Sequence, residues 1–129
     1  GKAIGQPPLL PYSSYTLENW SRFDGQGPID LSNIHTLQHF EGGMDEAWFI
    51  LVHVAIEARA GEMLMEATKI VDAAKAGNAA EVERALGVMS KVWDDVNAIF
   101  DRMPERCDPY VYFHRVRPWI HGWKDNPAL

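Results

Sequence analysis

Hydrophobic positions recur with a helical period over most of the chain, and glycine and proline mark the stretches that lack it. From Asp45 to about Ala76 there is no proline and the period is unbroken. The first half of this segment is apolar nearly all round: Trp48, Phe49, Ile50, Leu51, Val52, Val54 and Ile56. A helix of that kind is buried on every side. Asp45 and Glu46 favour its start through the helix dipole, and Gly77 closes it. Asn78-Ala-Ala-Glu81 then reads as a capping box. The helix it opens carries Val82, Leu86, Met89, Trp93, Val96, Phe100 and Met103 at alternating spacings of four and three, opposite Glu83, Lys91, Asp94 and Asp101. This predicts one apolar stripe facing the core. Pro104 stops the helix. Asp108-Pro109, an N-cap followed by proline at the first helical position, starts a third helix that Pro118 kinks or ends.

The N-terminal third is less regular. Pro7, Pro8 and Pro11 predict an extended entry, with Pro11 opening a short helix over residues 12–20. Residues 21–34 read as a loop, with Gly25, Gly27, Pro28 and Asp30. Residues 31–40 show no clear period and are expected to be irregular, with one short strand or turn, ending at Gly42-Gly43. Residues 122–129 read as a loop. No internal repeat or low-complexity segment is present. The predicted class is all-α, a helical bundle.

Composition narrows the picture. A chain of 129 residues suffices for one domain, and 47% hydrophobic with 23% charged residues excludes intrinsic disorder. A net charge of −6 argues against general nucleic-acid binding. Cys107 is the single cysteine, which excludes an internal disulfide and fits a reducing, cytoplasmic setting. The longest nearly apolar run, residues 47–56, contains His53 and is too short to span a membrane. There is no signal-peptide core. The absence of an initiator Met, and turn chemistry at Asn126-Pro-Ala-Leu129, predict a fragment or one chain of a cleaved protein. Five tryptophans in so short a chain require a large core or a ligand pocket.

Candidate chemistry concentrates in two places. His53 lies within the most apolar helix, with Phe49 one turn before it and Glu57 one turn after. Burial disfavours the imidazolium, so this histidine is either a core residue satisfied by a carbonyl or by Glu57, or it faces a pocket as base, acceptor or ligand. His53-x-x-x-Glu57 and His35-x-x-x-His39 both have one-turn spacing, but two ligands do not make a metal site. No phosphate-binding loop occurs, since Gly25-Gln-Gly27 is followed by Pro28. Cys107 reads as an ordinary thiol. In the third helix, Tyr110, Tyr112, Phe113, Trp119 and Trp123 interleave with His114, Arg115, Arg117 and His121. Phe113, Arg117 and Ile120 share a face at α-helical spacing. An aromatic beside a guanidinium suits an aromatic ligand with a carboxylate. It equally suits a snorkelling arginine, or an ion pair with an acid such as Glu57.

Three segments together resemble the indoleamine 2,3-dioxygenase family: Pro7-Pro-Leu-Leu-Pro-Tyr-Ser-Ser-Tyr-Thr-Leu-Glu-Asn-Trp20, Phe49-Ile-Leu-Val-His-Val-Ala-Ile-Glu57, and Asp108-Pro-Tyr-Val-Tyr-Phe-His-Arg-Val-Arg-Pro-Trp-Ile-His-Gly-Trp-Lys-Asp-Asn-Pro127. The resemblance runs in order over essentially the whole chain, and the Arg117–Pro127 block is its most specific part. It implies an all-α fold binding haem b, and an enzyme that inserts both atoms of O2 across the indole C2–C3 bond of L-tryptophan to give N-formylkynurenine. The family's enzymes are much longer. Residues 1–43 would then be the end of the small domain and the inter-domain loop, and 44–129 the first helices of the large haem-binding domain, with the remaining segments of the same enzyme as partners. The resemblance places the proximal haem histidine outside this chain, so no metal ligand is assigned within it.

By the same resemblance Arg117 binds the substrate carboxylate. Phe113 and Tyr112 are the paired aromatics on the substrate, and Phe49 and Tyr12 flank the indole ring. Tyr15, Thr16, Ile50 and Ile120 line the pocket. His53 takes a distal position that is serine in the mammalian enzymes, and is similar to the distal histidine of the tryptophan 2,3-dioxygenases. Tyr112 stands where the family has phenylalanine. A haem-binding or structural relative without dioxygenase activity is the alternative, and the bare residue pattern also allows a helical interaction module.

Overall fold

The computed structural model describes Gly5 and residues 10–120. The expected extended entry at Pro7-Pro8, the expected loop 122–129, and His121 and Trp123 lie outside the described residues. Two long helices dominate the rest: α1 (Met44–Lys75) and α2 (Ala79–Phe100). The joint between them follows from three residues. Gly77, at φ +68°, lets its own N–H reach Ala74 O at 3.1 Å while Asn78 N reaches Ala73 O at 2.9 Å. These paired bonds close the exposed carbonyls of α1 in the manner only a left-handed residue permits. Asn78 then caps α2, its side chain accepting from Glu81 N at 3.2 Å. The reciprocal half of the expected box is not made, because the Glu81 carboxylate turns to Arg84.

The two helices lie antiparallel along a seam of small and branched residues: Ala73 on α1, and Ala85, Val92 and Val96 on α2, all buried. Arg59–Asp95 at 2.9 Å and Arg84–Glu66 at 2.8 Å tie the two helices together beside it. The stripe expected to face the core does so only in part: Val96 is buried and Met103 packs against the Trp48 cluster. Leu86, Trp93 and Phe100 are 52%, 56% and 55% exposed. The apolar arc of α2 is wider than one neighbour can cover. The packed face keeps Val96 but otherwise centres on Ala85 and Val92, each one residue before an exposed member of the stripe, and its alanine allows close approach.

The N-terminal third is more regular than expected. The helix expected over residues 12–20 is a single π-helical turn, Ser13–Leu17. Trp20–Arg22 (β1) pairs antiparallel with Ile34–Thr36 (β2), Ser21 facing His35. The short strand expected within residues 31–40 is β2, and its partner was hidden in the loop-like stretch. This ribbon and the π-turn pack on α1: Tyr15 and Ile34 form one core cluster with Ile50, Leu51 and Val54. On the opposite side Trp48 and Val52 pack with Cys107. Trp48 donates its indole N–H to Arg102 O at 2.8 Å, beside a 3₁₀ turn at Met103–Glu105. Arg102 and Arg106 both lie over its ring.

The third helix starts as expected, with Asp108 accepting from Tyr110 N and Val111 N. It is not uniform: an α-helical turn at Pro109–Val111 runs into a π-turn at Tyr112–Val116 and a 3₁₀ turn at Arg117–Trp119. Among the described residues no helix is long and apolar enough to cross a membrane.

The exposed Leu86–Trp93–Phe100 stripe is expected to make residues 1–129, expressed alone, bind a hydrophobic dye and self-associate. Replacing the three by glutamate should abolish dye binding while changing the unfolding midpoint little, whereas Val92→Ala, in the sealed seam, should lower stability by about 1–2 kcal/mol. A dye-free, monomeric wild-type fragment would show that this face is covered within the chain.

Candidate active site

The π-turn at Ser13–Leu17, α1 and the third helix converge on one concavity of about 360 Å³. Leu10, Tyr12, Tyr15, Thr16, Phe49, His53, Tyr112, Arg117 and Ile120 line it. Phe49 and His53 supply one side. They sit one turn apart, the half-buried positions of an otherwise buried stretch of α1, their ring centroids 4.4 Å apart. Tyr112 stacks on Phe49, centroids 4.4 Å apart and planes at 28°. Tyr12 meets His53 edge-on at 6.3 Å. The result is a continuous aromatic surface with a guanidinium at its margin.

His53 is fixed by its own helix. Its Nδ1 lies 2.7 Å from Phe49 O, and a carbonyl only accepts, so Nδ1 carries the proton. In the neutral imidazole Nε2 is therefore left as an acceptor. The carbonyl partner is the one expected for a core histidine, but among the described residues only one ring nitrogen has a partner. Glu57, the other candidate partner, instead accepts from Tyr12 OH at 3.1 Å.

Arg117 donates to Ile120 O at 2.9 Å and has no carboxylate partner among the described residues. The expected alternative of an Arg117–Glu57 pair is not formed. The neighbouring Arg115 does pair, with Glu41. Thr16 is fully buried, and its Oγ1 is the single sealed side-chain polar atom without a hydrogen-bond partner among the described residues.

Two of the expected lining residues are elsewhere. Phe113 is 65% exposed, its ring against His114 rather than in the concavity. The cause is the π-turn. With bonds spanning five residues, Tyr112 and not Phe113 falls on the face of Arg117. Ile50 is fully buried in the core cluster with Tyr15, and Phe49 packs against that cluster. Leu10 and Pro11 also line the concavity, and Glu57 bonds Tyr12 rather than His53 or Arg117. Glu46 carries a signal in the sequence, an acidic side chain in the first turn behind two glycines, but that pattern points to the helix dipole and not to the site. His35 and His39 do not form a helical pair: His35 is on β2, and both rings bond to Thr36. Among the described residues no three His, Cys, Asp or Glu side chains are grouped to hold a metal. Burial pushes the Cys107 thiol up, helped by Asp45 and Asp108, away from nucleophile chemistry.

The concavity thus brings together an aromatic slot, one imidazole lone pair and a guanidinium without a carboxylate partner among the described residues, on a helical scaffold. A sequence model of the indoleamine 2,3-dioxygenase family matches residues 1–129. Indoleamine 2,3-dioxygenase 1 of Rattus norvegicus is 32% identical over 126 residues, covering 98% of this chain and 31% of the rat protein. The indoleamine 2,3-dioxygenase of Saccharomyces cerevisiae is 32% identical over 127 residues, with 93% and 28% covered. Indoleamine 2,3-dioxygenase nanC of Aspergillus nanangensis is 35% identical over 124 residues, with 92% and 30% covered. The chain belongs to the indoleamine 2,3-dioxygenase family, and it spans about three-tenths of the length of these curated relatives.

The three phenols of the site titrate late, Tyr15 pushed up furthest by burial and by Glu46. Burial, with Glu57 as hydrogen-bond acceptor, raises Tyr12 from 10.0 to about 12. Burial raises Tyr112 to about 12 against the opposing pull of Arg117. Between about pH 10 and 12 the folded chain keeps protons that the unfolded chain releases, so stability falls as pH rises through that window. Tyr112→Phe is expected to flatten that fall, read as unfolding midpoints against pH alongside tyrosinate absorbance. An unchanged slope would mean Tyr112 titrates as in the unfolded chain.

Proposed function

We propose that the protein containing this chain is a haem-dependent dioxygenase acting on L-tryptophan or a close indole, and that this chain supplies the distal, substrate-holding wall. The observation that supports it most is His53: its Nδ1–H is committed to the Phe49 carbonyl, leaving Nε2 to accept from an indole N–H. The ring of the substrate would lie between Tyr12, Phe49 and Tyr112, and its carboxylate on Arg117. The aromatic, apolar lining fits one face of a flat macrocycle. No histidine of this chain is assigned as the axial ligand. When bound, haem would supply the activation of O2 that lets both oxygen atoms add across the indole C2–C3 bond. The chain's own part is to orient the ring, hold the carboxylate and exclude water, the contribution that near-attack geometry makes to rate. In the complete protein, a Soret band together with formylkynurenine formation separates this reading from a non-catalytic haem-binding relative, which would give the first without the second.

Arg117→Ala should lower kcat/KM by about 30- to 5000-fold with haem content unchanged, because a carboxylate stripped of its bidentate partner loses about 2–5 kcal/mol. Arg117→Lys should rescue only in part, since a point charge cannot reproduce the fork. A normal kcat/KM for the alanine variant would remove Arg117 from the site.

His53 is expected to orient the indole rather than act as an obligatory base. His53→Ser should then keep turnover, reduced about 3- to 100-fold, the scale of one hydrogen bond plus an unpaired donor. Loss of an essential base would cost far more. N1-methyltryptophan cannot donate that bond. Wild type should discriminate against it strongly, and His53→Ser should narrow the difference. Equal discrimination by both enzymes would return His53 to a structural role.

A further inference from the structure

The pocket wall at Tyr15 is held by a carboxylate that never touches the pocket. Glu46 is fully buried in the first turn of α1. Its Oε2 accepts from Glu41 N at 2.9 Å and Gly42 N at 2.8 Å. Its Oε1 accepts from Phe40 N at 2.9 Å and lies 3.4 Å from Tyr15 OH. One side chain thus gathers three successive backbone donors and a phenol. The backbone can present those donors because Gly42 and Gly43 take φ of +83° and +89°, a region that disfavours side chains.

What Glu46 holds reaches both sides of the site. Tyr15 lines the concavity with its ring and turns its hydroxyl to Glu46. Phe40 stacks on Tyr15 at 6.0 Å and on Trp119 at 6.4 Å, two residues from Arg117. Glu41, the next residue of the same loop, pairs with Arg115. The loop is therefore a clasp between the π-turn that carries Tyr15 and the helix that carries Arg117, and Glu46 is its fastening. A buried carboxylate with these acceptor bonds fixes the loop, since a substitute lacking either acceptor oxygen leaves part-buried N–H groups unpaired.

We propose that Glu46 is a positioning residue for the ligand pocket, acting through Tyr15. This rests on the reading of the concavity as the tryptophan site, and the test separates the two. In the complete haem-loaded enzyme, the affinity for L-tryptophan, KM and kcat are measured for wild type, Glu46→Gln, Tyr15→Phe and the double variant. Glutamine keeps the shape but puts an N–H2 group against N–H donors. Glu46→Gln is expected to weaken binding and raise KM by about 5- to 50-fold, the scale of a slightly displaced reacting wall, with kcat changed less than about threefold. Tyr15→Phe removes only the hydroxyl that faces Glu46 and should reproduce part of the loss. In the Tyr15→Phe background, Glu46→Gln should add less than it does alone, the mark of coupled residues. Unchanged affinity in Tyr15→Phe, or fully independent effects of the two substitutions, overturns the role of Glu46. If Glu46→Gln does not fold, the Tyr15→Phe affinity decides by itself. Wild type that fails to bind L-tryptophan defeats the reading of the site instead.

Discussion

The stretch of α1 from Trp48 to Ala55 has to be kept from water on all sides, and the rest of the chain is arranged to do it. Trp48, Ile50, Leu51, Val52, Val54 and Ala55 are all buried, which no single neighbouring helix could achieve. Each large side chain among them contributes roughly 1.5–3 kcal/mol when fully covered, so the demand is strong. Tyr15 and Ile34 cover one flank, and Cys107 and the turn after α2 cover another. These covers come from widely separated parts of the sequence. They are drawn to one helix because it is the most apolar object available.

The concavity lies where that covering is incomplete. Phe49 and His53, one turn apart, are the half-buried positions of an otherwise sealed stretch. A histidine can sit there because its Nδ1 proton is satisfied within its own helix. An unpaired ring nitrogen in the sealed part would be costly, whereas at the opening it is available to a ligand. Site and core are thus two faces of the same helix, set by which of its sides the chain covers.

Both helical segments that border the opening opposite α1 contain a π-turn, Ser13–Leu17 and Tyr112–Val116. A π-turn is wider than an α-turn and shifts the side-chain register by one residue, and such turns occur frequently at functional sites. Here the second one exchanges Tyr112 for Phe113 on the face of Arg117. The stack of Tyr112 on Phe49 follows from that exchange. The loop fastened by Glu46 links the two segments, so the opening is bounded by elements that share one buried carboxylate.

Much of this was legible in the residues alone. The bounds of α1, the start of α2, the Gly77 closure, the Asn78 cap and the Asp108-Pro109 start are local matters, decided by backbone preferences and side chains a few positions away, whereas α2 ends at Phe100, before the Pro104 expected to stop it. The resemblance carried by the three segments identified the family and most of the lining. Tertiary structure decided what depends on distant partners. It chose which arc of α2 packs, because α1 offers one seam and alanine fits it better than tryptophan. It paired β1 with β2, since a strand of three residues has no signal without its neighbour. It placed Phe113 outside the site, because a one-residue change of helical pitch moves a side chain about 100° and no α-helical count foresees it, and it drew Ile50 into the core cluster with Tyr15 and Ile34. It also brought Tyr15 to Glu46, whose other three partners lie just before it in the chain.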